Sequence, residues 1–255
     1  MRAAVLSERG KSGLFSIEKR GLVGYISHMK SNHLHGADCS KCDAQEKGFM
    51  CSTSAEISAR IRQVKADCSY KAGDFVFRSG DQALGIFSVR KGVVKLESVN
   101  IDGDAHTLRL VGPGGLLGYR SFFDQTAYKK SAIALEDTEI CFIPGKEVRE
   151  LFNCHPELGL QLIQQLGLDL DRAESKWIDQ IDKGVSARVA DALLFLSERF
   201  ANTSWTRREI AEWAGTTTET VIRTLASFEK EGLISQNYRN FTILSKEKLA
   251  EKANL

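Results

Sequence analysis

Hydrophobic residues in the middle of the chain come in short bursts. Phe75-Val76-Phe77, Ile86-Phe87-Ser88-Val89, Val93-Val94-Lys95-Leu96, Thr107-Leu108-Arg109-Leu110-Val111 and Ile133-Ala134-Leu135 are each of strand length. Gly73-Asp74, Gly80-Asp81, Gly92, Gly103-Asp104 and the glycines between 112 and 118 interrupt them. Strand-length runs with a turn about every ten residues predict an antiparallel sandwich or barrel. At His155-Pro156 the period changes. Ile163, Leu166, Leu170, Ala173, Trp177 and Ile181 recur at helical spacing and predict one long helix with a narrow apolar stripe. Asp169, Arg172, Lys176, Asp179 and Lys183 fall on its opposite, polar face. A narrow stripe beside a broad polar face suits pairing with a second copy of the same helix, although packing on its own domain satisfies the pattern too. Gly184 reads as a stop and hinge. Val189, Leu193, Leu196 and Phe200 then mark a further helix over Arg188 to Phe200.

The most specific pattern follows. Thr206 and Glu209 have the spacing of a capping box, Ile210, Ala211 and Ala214 can face a neighbouring helix, and Gly215 permits a sharp turn. Thr216 or Thr217 can cap a second helix, expected from Thr218 to Lys230 with Val221, Leu225 and Phe228 inward. This is a helix-turn-helix, whose second helix touches base edges with its N-terminal residues. Glu219 and Arg223 share one face, four residues apart. Arginine can grip guanine as a fork and a carboxylate can accept from cytosine N4. An isolated Glu-x-x-x-Arg is usually a surface ion pair; the surrounding pattern favours DNA reading. The candidate DNA-binding residues are Thr206, Arg207, Thr217, Thr218, Glu219, Thr220, Ile222 and Arg223. Gly232-Leu-Ile and Asn237-Tyr-Arg-Asn-Phe-Thr-Ile-Leu form a candidate hairpin, or wing, turning at Asn237–Asn240.

Charge adds little. From 184 to 255 there are ten Lys/Arg and nine Asp/Glu, a balance of +1, so the motif and not bulk charge carries the nucleic-acid reading. No apolar run approaches the roughly 18 residues of a membrane span, and the mixed charges of residues 1–38 contain no signal-peptide core, so a cytoplasmic protein is expected. Met29 is an alternative start, and 1–38 reads as a weakly ordered tail. No phosphate loop, nucleophile elbow or paired catalytic histidines occur, which argues against an enzyme. A ligand-binding module with a degenerate DNA domain stays open. Six cysteines, at 39, 42, 51, 68, 141 and 154, suggest metal or redox chemistry in a cytosolic chain.

With these residues in view the chain resembles the CRP/FNR superfamily of bacterial transcription regulators over about residues 39–255. The resemblance rests on Lys71-Ala-Gly-Asp…Phe77-Arg-Ser-Gly-Asp, Val89-Arg-Lys-Gly-Val-Val-Lys, the Gly115–Gly118 turn, Ala134-Leu-Glu-Asp-Thr-Glu-Ile-Cys-Phe-Ile-Pro, the long helix and Glu219-Thr-Val-Ile-Arg223. It implies an α+β fold: a cysteine segment and an antiparallel β-roll of the cyclic-nucleotide-binding type over 39–155, a dimerisation helix over 156–183, and a winged helix-turn-helix over 184–255. It also implies a homodimer on a palindromic operator, with RNA polymerase as a further partner. Glu219 and Arg223 match the residues that family members use to read a G·C pair. Thr218 stands where cyclic-AMP-responsive members have Arg, and Ile222 where FNR has Ser, so the operator stays open; Ile222 could pack on a thymine methyl. The link from Phe200 to Trp205 is short, and the small hairpin that family members often place there is not expected.

The sensed signal has several candidates. Leu116 replaces the ribose-binding Glu of cyclic-nucleotide-responsive members, and Lys130-Ser131 replaces their Arg-Ser pair. Lysine lacks the arginine fork, so cyclic nucleotide is disfavoured. Cys39, Cys42 and Cys51, with Cys141 in the later strand, resemble the four thiolates that hold a [4Fe–4S] cluster in the FNR branch, although the eight residues between Cys42 and Cys51 are more than FNR has. Zinc competes for the same thiolates, with His33 and His35 nearby, and a metal-free protein stays open. Cys68 and Cys154 read as small buried residues.

Overall fold

The computed structural model describes residues 42, 44, 48, 49, 53–237 and 240–254. The expected tail, Cys39, Cys51, His33 and His35 lie outside the described residues.

Helix α1 (Ala55–Val64) leads into β1 (Ala66–Tyr70), β2 (Phe75–Phe77), β3 (Gly85–Lys91), β4 (Val94–Val99), β5 (Ala105–Val111) and β6 (Leu116–Leu117). A short helix α2 (Tyr119–Phe123), β7 (Ser131–Ala134), β8 (Thr138–Pro144) and α3 (Gly145–Cys154) complete the unit. Two antiparallel sheets face each other, in the orders β1-β8-β3-β6 and β2-β7-β4-β5. Between them Phe77 stacks on Tyr128 with centroids 3.8 Å apart, and Phe87 meets Phe142 at 4.9 Å. The first sheet is covered on its other side as well, where Ile57, Ile61, Ile86, Ile143, Val148 and Leu158 form a second core under α1 and α3. A strand buried on both faces loses its alternation, which is why β3 reads as a continuous apolar run. Gly92 joins β3 to β4 with φ +86°; a Cβ there would collide with Thr138.

Helix α4 (Glu157–Asp182) is 26 residues long. All six stripe residues, Ile163, Leu166, Leu170, Ala173, Trp177 and Ile181, are exposed on the single chain. The opposite, polar face is not left to solvent. Asp169 is 5 % exposed, and Lys176 donates to the Thr107 carbonyl at 3.0 Å. This polar face is the one that docks on the chain's own β-roll; the roll supplies paired polar groups there, so burial selects for charge instead of excluding it.

Helix α5 (Val185–Arg199) begins three residues before the expected Arg188, with Gly184 at its N-cap. Helix α6 (Arg207–Ala214) starts at a capping box formed by Thr206 and Glu209. Gly215 ends it at φ +65°, a left-handed conformation that suits glycine. Thr217 is the N-cap of α7 (Thr218–Lys230). The antiparallel pair β9 (Ile234–Asn237) and β10 (Asn240–Ile243) precedes α8 (Lys246–Ala253). No strand forms between Phe200 and Trp205. No described helix is long and apolar enough to cross a membrane.

Candidate functional site

Helix α7 presents two unlike faces because its sequence alternates at helical period. Val221, Leu225 and Phe228 are buried against α5 and α6. Thr218, Glu219, Ile222 and Arg223 are exposed on the other side. Glu219 and Arg223 take part in no ion pair among the described residues, so the surface-salt-bridge alternative does not describe them. The N-terminal threonines are engaged locally. Thr217 Oγ1 accepts from the Thr220 amide at 3.2 Å, and their hydroxyls are 2.9 Å apart. Thr206 is exposed and tied into the capping box through Glu209. Arg207, a candidate DNA-binding residue, is half-buried and donates to Gln236 Oε1 of β9 at 2.7 Å. Gln236 in turn donates from its amide to Glu229 of α7 at 2.8 Å. The wing, the start of α6 and the end of α7 are thereby one hydrogen-bonded unit.

The candidate sensing residues are distributed differently. Cys141 is half-buried in β8, opposite Asp67 of β1. Its thiol donates to Asp67 Oδ1 at 3.3 Å, and the Lys65 ammonium lies 3.7 Å from its sulfur. That ammonium is itself paired with the Asp67 carboxylate at 2.5 Å. Cys42 is half-buried, and no group of three or more metal-binding side chains occurs among the described residues. Cys68 is buried, and burial raises its thiol to about 11, which disfavours the reactive thiolate. Cys154 corrects its expectation: it is exposed at the end of α3, not buried. In the β-roll Leu116 is buried, and Lys130 donates to Ser98 Oγ at 3.0 Å.

Two junctions join the units, and sequence reasoning did not find either. At the first, the Asp169 carboxylate of α4 accepts from Tyr119 Oη at 2.5 Å and from Gln165 at 3.0 Å, with Arg109 of β5 at 2.6 Å. Burial and then the neighbouring carboxylate hold the Tyr119 phenol above its usual range, against the pull of Arg109. At the second, Lys95 of β4 sits between Glu212 of α6 (2.6 Å) and Glu97 (2.5 Å). Burial pulls the Lys95 pKa down, but hydrogen bonds to both carboxylates outweigh it and raise it. The available signal was the seven-residue spacing of Asp169 and Lys176 on one face of α4, which polarity alone assigns to solvent.

The sequence matches the family model described as Cyclic nucleotide-binding domain over residues 67–155 and that described as Crp-like helix-turn-helix domain over residues 187–252. It is 30 % identical to the transcriptional activator protein Anr of Pseudomonas protegens, over 82 % of this chain and 89 % of that one. It is 29 % identical to the protein of the same name from Pseudomonas aeruginosa, over 88 % and 96 %. A solved CRP/FNR-family transcriptional regulator from Thermus thermophilus is 30 % identical and superposes with a TM-score of 0.65, covering 74 % of this chain and 98 % of its own.

Proposed function

The chain belongs to the CRP/FNR superfamily of transcription regulators, and from that premise we propose a homodimeric, cytoplasmic DNA reader switched by a cysteine-held iron–sulfur cluster. One observation carries the DNA reading: Glu219 and Arg223 are exposed side by side on α7 and uncommitted to any ion pair among the described residues. A dimer through α4 sets two such helices on successive major-groove faces of a palindromic operator. Arg223 is assigned to guanine, Glu219 to cytosine N4, and Ile222 to a thymine methyl. RNA polymerase is the further partner.

Cys39, Cys42, Cys51 and Cys141 are the assigned cluster ligands. They supply the four thiolates such a group requires. The bound cluster would supply a redox-sensitive tie; the chain's part is to couple the segment before β1 to the β-roll through β8. Oxygen or nitric oxide would destroy the cluster and weaken the dimer. Zinc on the same thiolates is the rival, and the hydrogen bond from Cys141 to Asp67, proper to a protonated thiol, suits the metal-free chain.

Anaerobic purification with iron, sulfide and zinc analysis, followed by operator binding before and after air, tests this reading. Iron and sulfide in equal amounts, lost in air together with affinity, are expected; unchanged affinity after cluster loss removes the switch. In the same assay Arg223→Ala should cost about 1–3 kcal/mol and relax the preference at the G·C position. An Arg223→Ala variant that binds as wild type removes the DNA assignment.

A further inference from the structure

Helix α6 is gripped from three sides by residues outside the helix-turn-helix. From α4, the Lys176 ammonium lies 3.5 Å above the centre of the Trp213 ring while donating to the Thr107 carbonyl of β5 at 3.0 Å. One turn on, Gln180 donates to the Ala214 carbonyl at 3.3 Å. From α5, Arg188 donates to the Ala214 carbonyl at 3.0 Å and the Gly215 carbonyl at 3.3 Å. From the β-roll, Lys95 and Thr107 reach the Glu212 carboxylate at 2.6 and 3.3 Å. The terminal carbonyls of α6 are thus capped from other elements. Gly215 is seated so close to Gln180 that a Cβ there would lie 2.6 Å from its side-chain oxygen.

Lys176 is the one side chain in this set whose own contacts span the long helix, the β-roll and the DNA-binding unit. It makes no ion pair among the described residues; its charge is held by a ring face and a carbonyl. Burial brings its pKa down to about 8, so the ammonium prevails at neutral pH, and a desolvated cation over an indole is at the stronger end of such contacts. Trp213 cannot shift freely either, because its other side stacks on Phe195 of α5 at 4.9 Å.

We propose that Lys176 is a positioning residue for DNA reading: through Trp213 and Thr107 it fixes the angle of α6, and hence of α7, relative to the long helix. The inference rests on the dimeric DNA-reading assignment above. Its physical content is that two α7 helices match two half-sites only if each is held at a set angle to the helix that pairs the subunits. Lys176 touches neither DNA nor the exposed apolar stripe, so its removal should spoil geometry and leave local recognition intact.

The test uses the full chain and an operator selected by the wild-type protein from a randomised palindromic pool, together with a single half-site of the same sequence. Lys176→Met keeps the apolar stem and removes the charge. The two-half-site affinity should fall about ten- to thirty-fold, the fold-change of a desolvated cation–ring contact. Half-site affinity and the sedimentation-derived dimer constant should not change. Lys176→Arg should restore most of the lost affinity. An equal fall on the half-site overturns the proposal, since Lys176 would then merely support the fold of the reader. A rise in affinity overturns it as well, since the contact would then restrain the reader in an unproductive pose. Failure of the wild-type protein to select any operator would instead count against the regulator assignment itself.

Discussion

At the scale of single residues, burial and pairing decide how much each charge matters. Arg60 with Glu147 and Glu150 is a half-exposed ion pair on the surface of the β-roll, worth at most about 1 kcal/mol. Asp169 is different. Its side chain is 2 % exposed, and Arg109 beside it is 22 % exposed. Removing one partner of a buried pair strands the other, at a cost of about 3–5 kcal/mol. Asp169→Ala should therefore lower the urea midpoint far more than Glu147→Ala, with Asp169→Asn in between because it keeps an acceptor for Tyr119. Equal effects of the two alanine variants would show that Asp169 is not the buried anchor described. The amino-acid identity gave no hint of this, because an Asp on a polar helix face has the same sequence signature whether it meets water or a phenol and a guanidinium.

At the scale of elements, strong periodicity was legible and weak or doubly covered elements were not. The bounds of α7, the capping box of α6 and the length of α4 follow from caps and spacing alone. Helix α1 was missed because it buries only Ile57 and Ile61, too few to stand out. Strand β1 was missed because Ala66-Asp-Cys-Ser-Tyr carries little apolar signal, although its pairing with β8 is complete. The stripe on α4 belongs to the legible class, and the structure leaves it open to solvent: Trp177 is 68 % and Ile181 67 % exposed, as exposed as loop residues. Large side chains left in water along one seam call for a partner. Leu170→Glu, at mid-stripe, should convert the protein to monomer in sedimentation while leaving its circular dichroism and melting of secondary structure near wild type. A Leu170→Glu protein that still sediments as wild type would count against the proposed pairing through α4.

At the scale of the whole molecule, the boundary between sensor and reader is crossed by packing as well as by charge. Val93 of the β-roll belongs to the same buried cluster as Leu193, Trp205, Ile210 and Phe228 of the C-terminal unit, with Leu110 and Leu135 packed against it. A Cβ on Gly112 would lie 3.1 Å from the Phe200 ring. Units that share a core unfold together, so calorimetry should show one cooperative transition for the β-roll and the helix-turn-helix. Two well-separated transitions would mean that the shared cluster contributes little. The sharing also limits how freely such proteins can be recombined. A foreign sensor spliced on at Gly184 would arrive without Val93 in its slot, and the reader would carry an uncovered greasy notch. Chimeras of this regulator should tolerate transplants only when the incoming roll brings a matching plug.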